Sequence, residues 1–464
     1  MKTSTDNSNK DPTKEVCLVV AGSVDVGKSS FIGVLTSGIL DDGKGLARSV
    51  VARHPHEIKQ GKTSDISTRT LSLNNKNVTL VDLCGHEKYL KTTLYGITGL
   101  FPDYGILIVA AGRGMIKMSK EHLGIFLHLK IPFIILLTRV DITPQNIYER
   151  ETYNITKLLK KYKKKPKYIN SLSDIELLPN ELMEKEREAI DSLDKITKEL
   201  KVNPFLVPIL SISNKTGYYI NVAKSLLSKL ECRIDMWQPI KGSIFYIDSK
   251  FTVNGIGLVV SGLLRGVSVP VNSELLIGPF GNLGEFKRIK VWSIHNNNRQ
   301  VLNVLDQRNR GCFAIKVIDK KDEIGPLSIR KGLVIISKEV DQAVCYEFIA
   351  TIEILNHSTA ISPHYIATIH CGSIRQSAKI SFESTPDNPT LKLGDKREVS
   401  FRFFSHPEFM EVGSTFFFRE GTTRGVGIVN KLILVKDDPN PGPMPQNKKR
   451  KKKMVRKKKK KNVS

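Results

Sequence analysis

Between Gly22 and Ser29 the chain reads GSVDVGKS, and no other stretch constrains its fold as strongly. Two glycines, a lysine and a hydroxyl stand at the spacing G-x-x-x-x-G-K-[ST], directly after the apolar run Val16 to Ala21. A strand that turns into a helix beginning near Ser29 brings backbone N–H groups and the positive end of the helix together, which makes a cradle for phosphates. The pattern therefore predicts a nucleoside triphosphate site in an α/β domain. Candidate contacts in the loop are Asp25, Val26, Gly27, Lys28, Ser29 and Ser30. Lys28 is placed to reach the β and γ phosphates, and Ser29 to ligate Mg²⁺, the hard cation that bridges those oxygens. Asp25 is electrostatically awkward in a phosphate loop unless a cation lies beside it, so it is a candidate holder of a second, monovalent ion.

Two further motifs specify the nucleotide. The apolar run Val78 to Leu83 ends in DLCGHE, with an acid and a glycine at the C-terminal end of an expected strand. Asp82 there is a candidate Mg²⁺ residue, and the unobstructed Gly85 N–H a candidate γ-phosphate donor. His86 follows directly and is the candidate for orienting the attacking water, so His86 and Lys28 form the expected catalytic pair. After the run Phe133 to Leu137, Thr138-Arg139-Val140-Asp141 varies the N/T-K-x-D guanine signature. A carboxylate at Asp141 can accept both N1–H and the exocyclic amine of guanine, whereas adenine presents an acceptor at N1, so GTP is expected over ATP. Arg139 stands where a lysine is usual. Ser213 and Asn214, after the apolar run Phe205 to Leu210, are expected on the base side, where Ser213 or the following amides would meet guanine O6. Thr63, in the polar stretch between the phosphate loop and Asp82, is the candidate first-switch residue and third Mg²⁺ ligand.

Strand and helix patterns alternate through about the first 220 residues, as in a doubly wound, mostly parallel sheet. From about Gln238 the pattern changes to short β-rich runs such as LVVSGLL and SELLIG, and a second such unit begins near Glu339. The expected organisation is a disordered N-terminus over 1–14, a GTP-binding domain over 15–237, β-barrels over 238–338 and 339–437, and a disordered Lys-rich tail over 438–464. The fold class is thus an α/β P-loop GTPase domain followed by two β-barrel domains. Ile190, Leu193, Ile196 and Leu200 recur at helical spacing on a charged background and read as a core stripe. The run KKYKKKPK reads as a solvated loop able to touch ribosomal RNA.

Of the formal net charge of +26, Lys448 to Lys461 supplies twelve positive residues with no acid, leaving +14 for the rest. Such a run cannot bury apolar surface, and it suits phosphate-rich partners or nuclear import. The polar N-terminus resembles neither a secretory signal nor a transit peptide, and no apolar run approaches a membrane span in length. Six scattered cysteines without C-x-x-C pairs suit reduced thiols and argue against a zinc site. A cytoplasmic monomer is expected.

Together, Gly22-x-Val24-Asp25-x-Gly27-Lys28-Ser29 and Asp82-x-x-Gly85-His86-Glu87 resemble the translational GTPases of the elongation factor Tu and elongation factor 1-alpha superfamily. LDDGKGLAR, RHPHEIKQGKTS, DLCGHEKYLKTT and SISNKTG are similar to the branch containing GTP-binding proteins 1 and 2. The resemblance continues through NGIGLVVSGLLRG and FFFREGTTRGVGIV in the β-rich part. It implies GTP and Mg²⁺ as ligands and hydrolysis stimulated by the ribosome and its RNA. It also implies a cargo of aminoacyl-tRNA or a release-factor-like protein, in delivery or in ribosome and RNA surveillance. One departure is Lys62, where these factors usually carry an isoleucine that closes an apolar gate with the loop valine, here Val24. A second reading, a non-catalytic GTP-dependent RNA-binding adaptor linked to mRNA decay, draws on Lys62 and Arg139.

Overall fold

The computed structural model describes residues 15–51, 66–74, 76–233, 239–296, 299–319, 324–356, 360–383, 390–421 and 423–444. Lys62, Thr63, Trp237, the N-terminal segment and the Lys-rich run lie outside the described residues. Two compact units are present, one drawn from residues 1–275, 289–331 and 335–340, the other from 276–288, 332–334 and 341–464.

In the first unit, seven strands build one sheet: β1 (Glu15–Gly22), β2 (Ser67–Leu73), β3 (Lys76–Asp82), β4 (Tyr104–Ala110), β5 (Phe133–Thr138), β6 (Lys165–Tyr168) and β7 (Leu206–Ser211). Their order is β2-β3-β1-β4-β5-β7-β6, with β2 antiparallel to β3 and the remaining pairings parallel. Every residue of β1, β4, β5 and β7 is buried. That explains why these segments read as continuous apolar runs and not as alternating ones: crossover helices cover both faces of a parallel sheet. The helices are α1 (Lys28–Ser37), α2 (Leu46–Ser49), α3 (Leu90–Gly99), α4 (Lys117–His128), α5 (Gln145–Lys161), α6 (Pro179–Val202) and α7 (Ile220–Lys229). The helical stripe foreseen on α6 is core, with Leu193, Ile196 and Leu200 buried. α2 lies so close to α1 that a Cβ on Gly33 would stand 1.9 Å from the Ala47 carbonyl oxygen.

Two closed six-stranded barrels follow. In the first, the strands run in the order 274–280, 334–336, 243–253, 257–266, 310–317 and 285–296, with the last pairing back to the first. The second closes in the order 396–403, 374–381, 366–371, 415–420, 423–434 and 344–356. Closure leaves each six-stranded set without an open edge. Phenylalanines fill the second barrel: Phe348 stacks on Phe401 at 5.2 Å between centroids and meets Phe416 edge-on at 5.4 Å. No disulfide joins the six cysteines. Among the described residues no helix is long and apolar enough to cross a membrane.

Buried charge ties the nucleotide domain to the first barrel inside the first unit. Asp103, 3% exposed, accepts from the Cys17 and Arg233 backbone N–H groups at 2.9 Å each and pairs with Arg308 at 2.5 Å. Glu15 accepts from Thr79 Oγ1 at 2.6 Å and from the Arg310 N–H at 3.0 Å, while burial raises its carboxyl above the usual range. Arg310 in turn pairs with Asp248. Removing one partner leaves the others charged and out of water. Asp103→Ala should therefore lower the stability of the chain by about 3–5 kcal/mol, read as a fall in the urea midpoint; an unchanged midpoint would show that the cluster carries no such strain.

Candidate nucleotide-binding site

The phosphate loop is held from four directions. β1 ends at Gly22 with φ +145°, where a Cβ would lie 2.3 Å from the Ile108 carbonyl oxygen of β4. Its N–H donates to His122 Nδ1 at 3.0 Å, and Ser23 Oγ lies 3.0 Å from Ser119 Oγ, so α4 braces the start of the loop. At the other end Thr138 Oγ1 donates to the Val26 carbonyl at 2.7 Å, and Asn214 Nδ2 to the Gly27 carbonyl at 3.3 Å. Asp25 (φ 61°) and Gly27 (φ 90°) take left-handed conformations that turn successive backbone groups inward.

Lys28 is 6% exposed and donates Nζ to the Ser23 carbonyl at 2.7 Å. Burial lowers its pKa below the ordinary lysine range, partly offset by Asp82, Cys84 and Asp25. Ser29 Oγ donates to Asp82 Oδ2 at 2.5 Å, joining the loop to the end of β3. Gly85 packs directly on the cradle: a Cβ there would meet Lys28 Nζ at 2.5 Å and the Ser23 carbonyl oxygen at 2.7 Å. Only glycine permits that approach. His86 is half-buried, caps the short turn Glu87–Tyr89, and accepts the Lys88 N–H on Nδ1 at 3.1 Å. A cleft of about 510 Å³, partly open to solvent, is lined by Val24, Asp25, Gly27 to Ser30, Gly85 and His86, together with Arg48 and Arg139.

On the expected base side, Arg139 is exposed at φ 62° and Asp141 lies in the turn Val140–Ile142. Ser213 is fully buried, and its Oγ accepts the Lys215 and Thr216 N–H groups at 3.2 and 3.1 Å, so the hydroxyl shapes the turn. Val24, Asp25, Gly27 to Ser30, Gly85, His86 and Arg139 thus line one cleft, and Asp82 is joined to it through Ser29. Asp141 and Ser213 do not line it, and Thr63 lies outside the described residues. Sequence reasoning missed Arg48, Ser119 and His122. Nothing in their local pattern marks them; the fold alone brings α2 and α4 against the loop.

The donor set fits a hard divalent cation. Ser29 and Asp82 offer oxygens side by side, and among the described residues no group of three His, Cys, Asp or Glu is placed to hold a metal ion. That suits Mg²⁺ bound through a hydroxyl, substrate phosphates and water in preference to a cage of protein ligands.

A braced phosphate loop, an Asp-x-x-Gly segment packed on it and two trailing barrels define a multidomain P-loop nucleotide-binding protein. The family model for the elongation factor Tu GTP binding domain matches residues 13–240. GTP-binding protein 1 of Xenopus laevis is 36% identical over 447 residues, covering 90% of this chain and 64% of that protein. GTP-binding protein 2 of Homo sapiens is 32% identical over 442 residues, covering 89% of this chain and 68% of that protein. The chain therefore spans about two thirds of the length of these relatives. In fold it is similar to translation elongation factor SelB of Methanococcus maripaludis, crystallised with the GTP analogue GppNHp. That match has a TM-score of 0.62 at 20% identity and covers 92% of this chain and 81% of that one. The chain belongs to the translational GTPase superfamily, with GTP-binding proteins 1 and 2 among its relatives.

His122 yields a pH prediction. Burial, with a smaller contribution from the Lys28 charge, pushes its pKa down to about 3, so the folded ring stays neutral while the unfolded ring protonates near 6.5. The unfolded state then binds the extra proton, and stability is full above pH 6.5 and falls as pH drops toward 3. His122→Gln removes that titration and should flatten the decline in unfolding free energy between pH 6.5 and 4 relative to wild type; superimposable profiles would contradict the buried neutral ring.

Proposed function

We propose that the chain binds GTP with Mg²⁺ and hydrolyses it to GDP and phosphate, as a ribosome-stimulated switch that holds an RNA or protein cargo in its GTP form. The observation that carries this reading is the meeting of Lys28, Ser29, Gly85 and His86 in one cleft, with Asp82 bonded to Ser29. Lys28, already desolvated, places its ammonium against developing phosphate charge without reorganisation. The Gly85 N–H would report the γ-phosphate, because its missing Cβ lets the segment lie on the cradle. Mg²⁺, when bound, neutralises charge across the β and γ oxygens; Ser29, Asp82 and Thr63 are the residues assigned to hold it. Asp25 lines the same cleft and is the residue assigned to a monovalent cation.

His86 is assigned to orient water. With Nδ1 accepting the Lys88 N–H, the neutral ring carries its proton on Nε2. That tie to its own turn supports stimulation from outside: a docking partner such as ribosomal RNA would have to turn the ring toward the reacting water. Asp141 is assigned to guanine, beside Arg139. Thr138 and Asn214 act through the loop by holding the Val26 and Gly27 carbonyls, and Ser213 by shaping its own turn. The cargo is a tRNA or a release-factor-like protein, and the working compartment is the cytoplasm.

In a turnover assay with and without ribosomes, His86→Ala should keep GTP affinity and lose stimulated hydrolysis by roughly 100-fold or more. Undiminished stimulation would remove His86 from the mechanism. Asp141→Asn should weaken GTP binding by about tenfold or more through loss of a charge-assisted pair, measured by titration with a fluorescent guanine nucleotide; equal affinities would place base recognition elsewhere.

A further inference from the structure

Seven lysines and no acid occupy the stretch from Thr152 to Ser173. Among them stand Tyr153, Tyr162 and Tyr168, which are 66%, 48% and 38% exposed. All twelve tyrosines of the chain are described, and the other nine are buried or half-buried. Exposed phenol rings are therefore confined to this basic stretch. Phe205, 50% exposed, adds a fourth ring, because the Lys165 N–H donates to its carbonyl at 2.7 Å.

The fold brings Tyr153, Tyr168 and the helix lysines together. α5 buries Tyr148, Ile155 and Leu159, which leaves Tyr153, Lys157, Lys160 and Lys161 along its outer side at helical spacing. β6 is the edge strand of the sheet. The Tyr168 hydroxyl joins β6 to α5 through Thr156 Oγ1 at 3.0 Å and the Thr152 carbonyl at 3.1 Å. Among the described residues no carboxylate pairs with Lys157, Lys160, Lys161, Lys163, Lys165 or Lys167. Lys164 alone is engaged, with the Pro204 carbonyl and the Phe133 ring. The nearby acids are occupied: Glu199 accepts from Asn203, and Glu151 pairs with Arg150. Tyr153 stands on this outer side, whereas Tyr162, nine residues on and half a turn round, lies at the C-terminal cap of α5.

Unpaired ammonium groups interleaved with accessible flat rings are what a single strand of nucleic acid requires: charge for its phosphates and stacking platforms for its unpaired bases. A duplex offers no free base faces, and an acidic peptide has no use for the rings. We propose that the outer face of α5 and the β6 edge bind a single-stranded RNA segment. The surface runs along the outer side of α5 to Tyr168 at the last residue of the edge strand β6, and none of its residues lines the phosphate cleft. Both sites can therefore be filled together, and the surface does not depend on the hydrolysis reading.

The Lys-rich run at 448–461 also attracts phosphate, so the test uses the full chain and separates the two by base exposure. Thiouridine-containing oligouridylate is photocrosslinked to the wild type and the attachment points are mapped by mass spectrometry. Crosslinks are expected on Tyr153 or Tyr168. In binding assays, Tyr153→Ala should weaken oligouridylate by roughly 5- to 100-fold, one stacked base, with duplex RNA of equal length little changed. Replacing Lys157, Lys160 and Lys161 together by Ala should reduce the slope of log affinity against log salt by about 2 for the single strand. Unchanged affinity for a fluorescent guanine nucleotide confirms that each variant is folded. Crosslinks confined to 448–461, or equal losses for single strand and duplex, would overturn the proposal, as would displacement of the RNA by polyglutamate with no crosslink on α5 or β6.

Discussion

An ammonium group held almost wholly out of water is the constraint on which the site depends. Lys28 is costly to keep there, as its lowered pKa records. The Ser23 carbonyl, the Asp82 charge and the converging backbone of the loop make that position tolerable, and phosphate oxygens would complete the compensation. Each neighbouring feature follows from this demand. Gly85 must lack a side chain because its Cβ would fall on Nζ, and Gly22 because its Cβ would fall on β4. The cradle is consequently as much a product of the surrounding sheet as of its own eight residues.

Support reaches the loop through elements distant in sequence. His122 and Ser119 come from α4, Thr138 from the end of β5 and Asn214 from the loop after β7. Thr138 shows how one position serves two ends: it belongs to the guanine signature, yet its hydroxyl fixes the Val26 carbonyl of the phosphate loop. The two loops are coupled through that bond, since displacing either strains the other. The Asp103 and Glu15 clusters extend the same logic to the first barrel, where buried charges of opposite sign fix contacts that apolar packing alone would leave slippery.

The outer face of α5 contrasts with this tightly bonded interior. Among the described residues its lysines have no carboxylate partners, and its tyrosines remain in solvent, on residues that do not line the nucleotide cleft. A domain that places its chemistry in loops at the ends of parallel strands leaves its outer helices and edge strands available for contacts of a different kind, and charge with exposed rings determines which kind.

Much of the architecture was legible in the chain itself. GSVDVGKS implied a strand, a loop and a helix, because only glycine-rich turns into helix N-termini present backbone N–H groups in that way; the observed strand matches expectation within a residue at both ends, and the helix begins within a residue of the expected start. The continuous apolar runs announced a sheet covered on both faces, the later short runs two barrels, and the stripe on α6 a core. What the sequence could not show was which distant residues would brace the site. Arg48 in the cleft, His122 under Gly22 and the pairing of Asp103 with Arg308 carry no local signature, since their roles arise from long-range packing, across 100 positions for His122 and 205 for Asp103. The sequence alone determined the strand-loop-helix cradle and its candidate phosphate-binding groups; the tertiary structure decided which side chains hold that cradle, because burial and long-range hydrogen bonds exist only once the sheet has closed around them.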